Sequence, residues 1–149
     1  MPDDVVVRGL TRRFGGLTAL DRVSFTAEAG RITAVIGPNG AGKTTLFNCI
    51  SGLDRPDAGE VALGGSGLTG RAPHEVAALG VARTFQTLQV FGTMSVLENV
   101  RTAAEHARGR RSAGADAPAR ARRCLDAAGL AGLADRPARA LSFGEQRRL

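Results

Sequence analysis

The chain has 149 residues, of which 43% are hydrophobic and 23% charged, and its formal net charge is +6. This composition is typical of one soluble globular domain with enough residues to bury a core. The longest apolar stretch, around residues 32–36, is too short to cross a membrane, and the acidic start lacks the pattern of an export signal, so we expect a cytoplasmic location.

The first half of the chain is predicted to be rich in strands. Residues 5–10 and 23–27 alternate or run apolar at strand length, and residues 32–36 form an apolar, β-branched run that predicts a buried strand. A short strand is predicted over residues 60–63, after a turn, and residues 81–84 are a further strand candidate.

A glycine loop follows the predicted buried strand. Residues 37–45 read GPNGAGKTT, and the next residues predict a helix over 44–51 that stops at Gly52. In this order of strand, loop and helix, backbone N–H groups and the positive helix end surround a cavity for phosphate oxygens. Lys43, the only lysine in the chain, would add a compact charge for the β and γ phosphates, and the Thr44 hydroxyl is placed to hold Mg²⁺.

The alternative for this loop is a glycine-rich turn that contacts no ligand. It is disfavoured because the motif fixes four positions and both flanking elements are also predicted. The predicted nucleotide-binding residues of the loop are Gly37, Pro38, Asn39, Gly40, Ala41, Gly42, Lys43, Thr44 and Thr45.

Helices dominate the second half of the prediction. A short helix over residues 73–79 begins with a proline, and after Gln86 the strand pattern ends. Ser95 and Glu98 have the spacing of a capping box and predict a helix to about residue 107. A polar stretch over 108–117 predicts an exposed loop before a helix over 118–128, which ends at Gly129.

The cysteines and the clustered arginines can each be explained without a ligand. Cys49 and Cys124 have no CxxC spacing and lie in helical patterns, which predicts two reduced packing residues.

An arginine cluster allows a nucleic-acid or anionic-lipid patch, but a solvated loop and helix face is favoured because no aromatic residues interleave with it. We therefore expect no nucleic-acid partner. The cluster consists of Arg108, Arg110, Arg111, Arg120, Arg122 and Arg123.

Four ordered sites give the chain a resemblance to the ATP-binding subunit of an ABC transporter. They are Phe14, the glycine loop, Gln86 in the segment RTFQ, and residues 141–145, LSFGE, which are similar to the family's LSGGQ signature. A phosphate loop alone would admit many nucleotide hydrolases, whereas this order of loop, glutamine and LSxG segment is specific to the family. The resemblance covers nearly all of residues 5–149.

The resemblance implies an α/β P-loop NTPase fold of the ABC type. Its parts would be a strand-rich N-terminal region, a RecA-like core and a helical subdomain, with the C-terminal core strands missing. Residues 1–149 would form the N-terminal part of one ATP-binding domain. Within it, residues 1–86 would be the β subdomain and P-loop core, and residues 87–149 the helical subdomain up to the signature.

Roles for individual residues also follow from the resemblance. Phe14 would stack on the adenine ring, the alternative being an ordinary hydrophobic plug. Gln86, the catalytic candidate, would contact Mg²⁺ or the attacking water, the alternative being an exposed strand-end amide. Ser142 and Gly144 would present a hydroxyl and backbone N–H groups to the γ-phosphate of ATP bound by the opposite subunit. The resemblance thus implies a homo- or heterodimer with nucleotides in its interface.

A subgroup within the family is indicated by several short segments. Phe143 in the signature and residues 48–52 and 86–91 resemble the branched-chain amino acid uptake type. That subgroup implies transmembrane permease subunits as partners and a peripheral position on the inner face of the cell membrane. Three residues would by analogy face the groove where a permease helix docks. They are Leu88, Val90 and Phe91.

Two departures from the family pattern limit the predicted chemistry. Glu145 replaces the signature glutamine and places a negative charge near a phosphate. Nothing in the chain resembles the apolar run ending in Asp-Glu that supplies the family's metal-organising aspartate and general base, and His74 and His106 lie too early to be its later histidine. We therefore expect nucleotide binding without efficient turnover. Three readings stay open: an importer's ATP-binding subunit, a non-hydrolysing nucleotide-binding fragment, and a soluble ATPase acting on nucleic acid.

Overall fold

The computed structural model describes residues 3–85, 89–106 and 117–149. These residues belong to two compact units, Met1–Ala82 and Arg83–Leu149. The catalytic candidate Gln86, its neighbour Leu88 and nearly all of the predicted loop over 108–117 lie outside the described residues. Within the described part, no helix combines the length and apolarity that crossing a membrane requires.

The first unit contains an antiparallel sheet of four strands in the order β2-β1-β3-β4. β1 (Val5–Phe14) and β2 (Leu17–Ala27) pair across a turn of two glycines. β3 (Ala58–Leu63) pairs with the other side of β1, and the two-residue β4 (Ser66–Gly67) follows it. The predicted strands over 5–10, 23–27 and 60–63 are confirmed, and the first two extend toward the glycine turn.

Two helices supply the rest of the first unit's core. α1 (Lys43–Ile50) and α2 (Pro73–Ala78) agree with the predicted helices over 44–51 and 73–79. Gly52 ends α1 in a left-handed conformation with φ of 75°, as the predicted stop requires. The buried apolar side chains of strands and helices meet in one cluster. Its members are Val7, Leu10, Leu20, Leu46, Cys49, Val61, Leu68 and Val76.

The strand predicted over residues 32–36 is wrong for this structure. These residues form no strand, and Ile32 and Ile36 are 100% and 91% exposed, while Val35 alone packs against the core cluster. A continuous apolar run signals a strand of a parallel sheet buried on both faces, which requires strands on either side. Every described strand belongs to the antiparallel sheet, and none pairs with this run. The candidate over 81–84 is likewise not a strand.

The second unit is helical. It contains α3 (Val96–His106), α4 (Ala117–Ala127) and α5 (Phe143–Arg148), with two short 3₁₀ turns between α4 and α5. The start of α3 is the predicted capping box, and Gly129 ends the α4 region with φ of 66°. The core consists of Val96, Leu125, Leu130 and Leu141.

The cysteine prediction is half right. Both thiols are free, and Cys49 is buried in the first unit's core, where burial and then the nearby Asp54 charge raise its pKa. Cys124 is exposed, because the buried stripe of α4 passes through Ala121 and Leu125, four residues apart, and leaves the neighbouring position outside. Cys124 is therefore a surface thiol and not a packing residue.

Candidate functional site

The glycine loop runs from residue 37 to the start of α1. Gly40 and Gly42 have φ values of 85° and 83°, in the left-handed region that favours glycine. Gly42 also lies against β2, and a Cβ there would come within 2.3 Å of the Ala19 carbonyl oxygen. Gly42 therefore has to be glycine both for its conformation and for its surroundings.

Lys43 folds back across the loop. Its Nζ donates hydrogen bonds to the carbonyl oxygens of Gly37 at 2.7 Å and Pro38 at 2.6 Å. The Ala41 N–H donates to the Pro38 carbonyl oxygen at 3.3 Å, so the loop is also held by its own backbone. These bonds place an ammonium group, which has three donors, against two peptide carbonyls of the loop.

The N-terminus of α1 has no side-chain cap. Gly42 occupies the N-cap position without a side chain, and the first turn of α1 contains no acidic residue. The first N–H groups of a helix have no intrahelical acceptor and carry the positive end of the helix dipole. Those of Lys43, Thr44 and Thr45 therefore suit an external anion. Uncapped donors, a glycine at the N-cap and one ammonium group fit a phosphate chain.

Phe14 lies at the end of β1, beside the glycine turn of the hairpin. The residue is 44% exposed, so its ring is not part of the core cluster. The Arg12 guanidinium lies over the ring, with its Cζ atom 4.5 Å from the ring centroid. A half-exposed aromatic ring can present a flat apolar surface to a planar ligand.

In the second unit, Ser142 is the N-cap of α5, and Glu145 closes a capping box on it. The Ser142 hydroxyl and backbone N–H both donate to Glu145 Oε2 at 2.7 Å. The Glu145 N–H donates to Ser142 Oγ at 3.4 Å. These hydrogen bonds lower the pKa of the Glu145 carboxyl below its ordinary value. Gly144, the other predicted residue here, is exposed.

The sequence interpretation missed this second capping box. Ser142 and Glu145 have the same S-x-x-E spacing as Ser95 and Glu98, which the sequence did identify. Glu145 was interpreted only as a charge near a phosphate, whereas the structure engages it with the serine that was predicted to bind that phosphate. The spacing alone was sufficient to find the box.

A groove of about 610 Å³ lies within the second unit. Val90 and Phe91, predicted to face a partner, are among its lining residues, and Leu88 lies outside the described residues. Phe91 is 56% exposed, and its backbone is fixed by Asn99, which accepts from the Phe91 N–H at 2.8 Å and donates to its carbonyl oxygen at 3.1 Å. Phe85 also lines the groove, and no sequence signal pointed to Phe85 or Asn99.

Comparison with known proteins places these features in a family. A family model described as ABC transporter matches residues 20–149. The high-affinity branched-chain amino acid transport ATP-binding protein LivG of Salmonella typhimurium is 39% identical, over 97% of this chain and 62% of LivG. The chain therefore spans about three-fifths of the length of this relative.

Solved structures give the same result. An ATP-binding cassette of an ABC transporter in its ADP conformation aligns with a TM-score of 0.83 and 31% identity, over 99% of this chain and 62% of the cassette. A bacterial ABC transporter cassette solved as a dimer aligns with a TM-score of 0.78 and 26% identity, over 97% of this chain and 66% of the cassette. The fold is therefore that of a P-loop NTPase of the ABC type.

Proposed function

The chain belongs to the ABC transporter family, and we propose that it is the nucleotide-binding part of an ATP-binding subunit that energises import of a small solute. Because the chain spans about three-fifths of LivG, nucleotide binding is proposed for these residues, and hydrolysis and transport for the whole protein. Branched-chain amino acids are the proposed solute class, since LivG is named for their transport.

The observation that carries this proposal is the loop around Lys43. Its ammonium group lies on the carbonyl oxygens of Gly37 and Pro38, directly before the uncapped first turn of α1. A positive charge and free N–H donors at one point favour a polyanion over a neutral ligand. Among small ligands of this family, ATP supplies such a chain of phosphates.

The ligand assignments follow from this loop. Residues 37–45 would bind the phosphates, and Lys43 would exchange a carbonyl contact for phosphate oxygens. The Thr44 hydroxyl and Gln86 would hold Mg²⁺, and Phe14 would stack on adenine. Bound ATP with Mg²⁺ supplies a phosphoryl group whose transfer to water releases the free energy used in transport.

A dimer is proposed because the signature would serve the nucleotide of a second subunit. Ser142 and Gly144 would offer a hydroxyl and backbone N–H groups to that phosphate. The Ser142 hydroxyl is already hydrogen-bonded to Glu145, so it would have to leave the carboxylate before it could bind a phosphate. Glu145 therefore sets a competition between helix capping and phosphate binding.

The groove of the second unit supports a permease contact. The exposed rings of Phe85 and Phe91 line it, and Asn99 fixes the Phe91 backbone. An apolar groove of this kind suits an amphipathic helix. We propose that a cytoplasmic helix of the transmembrane permease binds here, which would place the subunit at the inner face of the membrane.

Titration of the full chain with a fluorescent ATP analogue and Mg²⁺ tests the loop. Lys43→Ala should weaken binding about tenfold or more, because a hydrogen bond to a charged group contributes roughly 1.5–3 kcal/mol. The matched control is Arg31→Ala, which removes one positive charge of the first unit whose described partner is Glu28. Unchanged affinity in Lys43→Ala, or an equal loss in Arg31→Ala, would reject the proposed function.

A further inference from the structure

Arg12 connects the aromatic ring of Phe14 to two carboxylates of the first unit. Its guanidinium lies over the Phe14 ring at 4.5 Å, within 3.4 Å of Asp54 Oδ1 and within 3.5 Å of Asp57 Oδ1. Arg12 and Phe14 are two residues apart in β1 and so share a face of the strand. The Arg12 side chain is only 22% exposed and that of Asp54 25%, so this ion pair is largely sheltered from water.

The first of these carboxylates continues the connection into α1. Asn48, within α1, donates from Nδ2 to Asp54 Oδ2 at 3.1 Å, and its carbonyl oxygen accepts from the Asp54 N–H at 3.2 Å. The chain of contacts therefore runs from Phe14 through Arg12 and Asp54 to Asn48. Helix α1 is the helix whose first residue, Lys43, closes the phosphate loop.

The second carboxylate is fixed on β1 itself. The Asp57 N–H donates to the Thr11 carbonyl oxygen at 2.8 Å, and Asp57 Oδ2 accepts from the Arg13 N–H at 2.6 Å. Arg12 is thus held between an acid attached to the strand and an acid attached to the helix. This arrangement fixes the direction in which its planar head group points.

Arg12 is not held through every nitrogen of its guanidinium group. Its Nε is buried, and no hydrogen-bond partner lies near it in the described part of the chain. An unpaired buried donor is destabilising, so contacts of the other guanidinium atoms must hold the side chain in place. Those contacts are the two carboxylates and the face of the Phe14 ring.

We propose that Arg12 is a positioning residue for nucleotide binding, which covers one face of Phe14 and ties that ring to the helix of the phosphate loop. This inference rests on the proposed function and extends it to the base end of the nucleotide. The adenine stacks on the uncovered face of the ring. Because base and phosphates of one ATP bind at two points, a ring held at a fixed position relative to α1 loses less freedom on binding.

The test compares ATP with inorganic tripolyphosphate, each titrated with Mg²⁺ into the full chain by calorimetry. Tripolyphosphate has the phosphates without the base. Arg12→Ala should weaken ATP binding about two- to tenfold, the range of one aromatic or cation–π contact, and leave tripolyphosphate binding unchanged. In a Phe14→Ala background, Arg12→Ala should cause no further loss of ATP affinity.

Two further variants separate positioning from general destabilisation. Arg12→Lys keeps the charge beside Asp54 and Asp57 but removes the planar cover, so it should weaken ATP binding in the same selective way. Arg8→Ala breaks an exposed ion pair of β1 with Glu60 and should change neither affinity. Should Arg12→Ala fail to fold, Arg12→Lys carries the comparison alone.

Tryptophan fluorescence offers an independent measurement, because the chain contains no tryptophan or tyrosine. Phe14→Trp introduces a single reporter, whose emission should change with ATP but not with tripolyphosphate. Adding Arg12→Lys should reduce that change.

The outcomes separate the two claims. Equal weakening of both ligands, or no weakening of ATP, in the Arg12 variants overturns the positioning role while the loop assignment stands. Failure of the unaltered chain to bind either ligand overturns the proposed function, and the positioning role with it.

Discussion

Helices α1 and α5 begin in opposite ways. At α1 the N-cap is Gly42, with no side chain and no acidic residue in the first turn. At α5 the N-cap is Ser142, and Glu145 returns to both its hydroxyl and its backbone N–H. The first turn of α1 thus has no side-chain acceptor, whereas at α5 the N-cap hydroxyl and the Glu145 N–H are engaged within the helix. Both helix starts lie in motifs predicted to meet a phosphate. One of these predicted contacts is open, and the other would require the Ser142 hydroxyl to leave Glu145.

Among substitutions at the two helix starts, Gly42→Ala is expected to change the free energy of unfolding most. The substitution forces an alanine into a left-handed conformation and places its Cβ against the Ala19 carbonyl oxygen at 2.3 Å. Backbone strain and overpacking together should lower the free energy of unfolding by about 2–5 kcal/mol, measured by denaturant unfolding of the full chain.

Gly40→Ala is the matched control for that change. Gly40 has a similar φ of 85°, but a Cβ there would meet nothing within 4 Å. Strain alone should cost about 1–2 kcal/mol. Equal destabilisation by the two substitutions would show that the contact with β2 is not the reason why glycine is required at the N-cap of α1.

A smaller effect is expected at the capped helix. Ser142→Ala removes the N-cap side chain of α5 and should destabilise that helix by about 1 kcal/mol, detected as faster hydrogen exchange of its amides. Ser95→Ala, in the equivalent box of α3, should have a similar effect on α3 and none on α5. Unaltered exchange in α5 would mean that the Ser142 hydroxyl is not committed to capping.

The smallest effect is expected in the pH dependence of the stability of α5. Hydrogen bonds from Ser142 lower the pKa of Glu145 below its ordinary value of 4.5. The folded state therefore prefers the charged carboxylate, so its stabilising contribution is complete above pH 4.5 and is lost as the pH falls through the lowered pKa.

Hydrogen exchange of the α5 amides, measured as the pH is lowered from 4.5 through the lowered pKa of Glu145, should show declining protection. Glu145→Gln should make that protection less dependent on pH, and α1, which has no acidic residue in its first turn, should be unaffected by the substitution. A pH profile of α5 that Glu145→Gln leaves unchanged would contradict the capping role.

Local patterns in the sequence were sufficient for the parts of the fold that depend on local chemistry. The strands over 5–10 and 23–27, the helix after the glycine loop and the Ser95–Glu98 box were all predictable, because apolar spacing and caps act within a few residues. The strand over 32–36 was not, because its pairing depends on neighbours that a pattern does not identify. The prediction that Cys124 packs in the core was wrong for a similar reason, since one position around α4 separates buried from exposed residues.

The candidate site divides in the same way. Residues 37–45 were recognisable from the motif. The contacts of Lys43 with Gly37 and Pro38, and of Arg12 with Phe14, depend on side-chain conformations that the motif does not specify. The nucleotide-binding assignments themselves and the role of Gln86, which lies outside the described residues, stay predictions.

The bare segment over residues 32–36 also bears on how the chain behaves among other proteins. Ile32 and Ile36 are almost fully exposed, and the residues between them belong to no strand. Exposed apolar side chains on a segment outside any sheet attract other apolar surfaces and strand edges. At high protein concentration these exposed isoleucines would be the first point of contact between copies of this 149-residue chain.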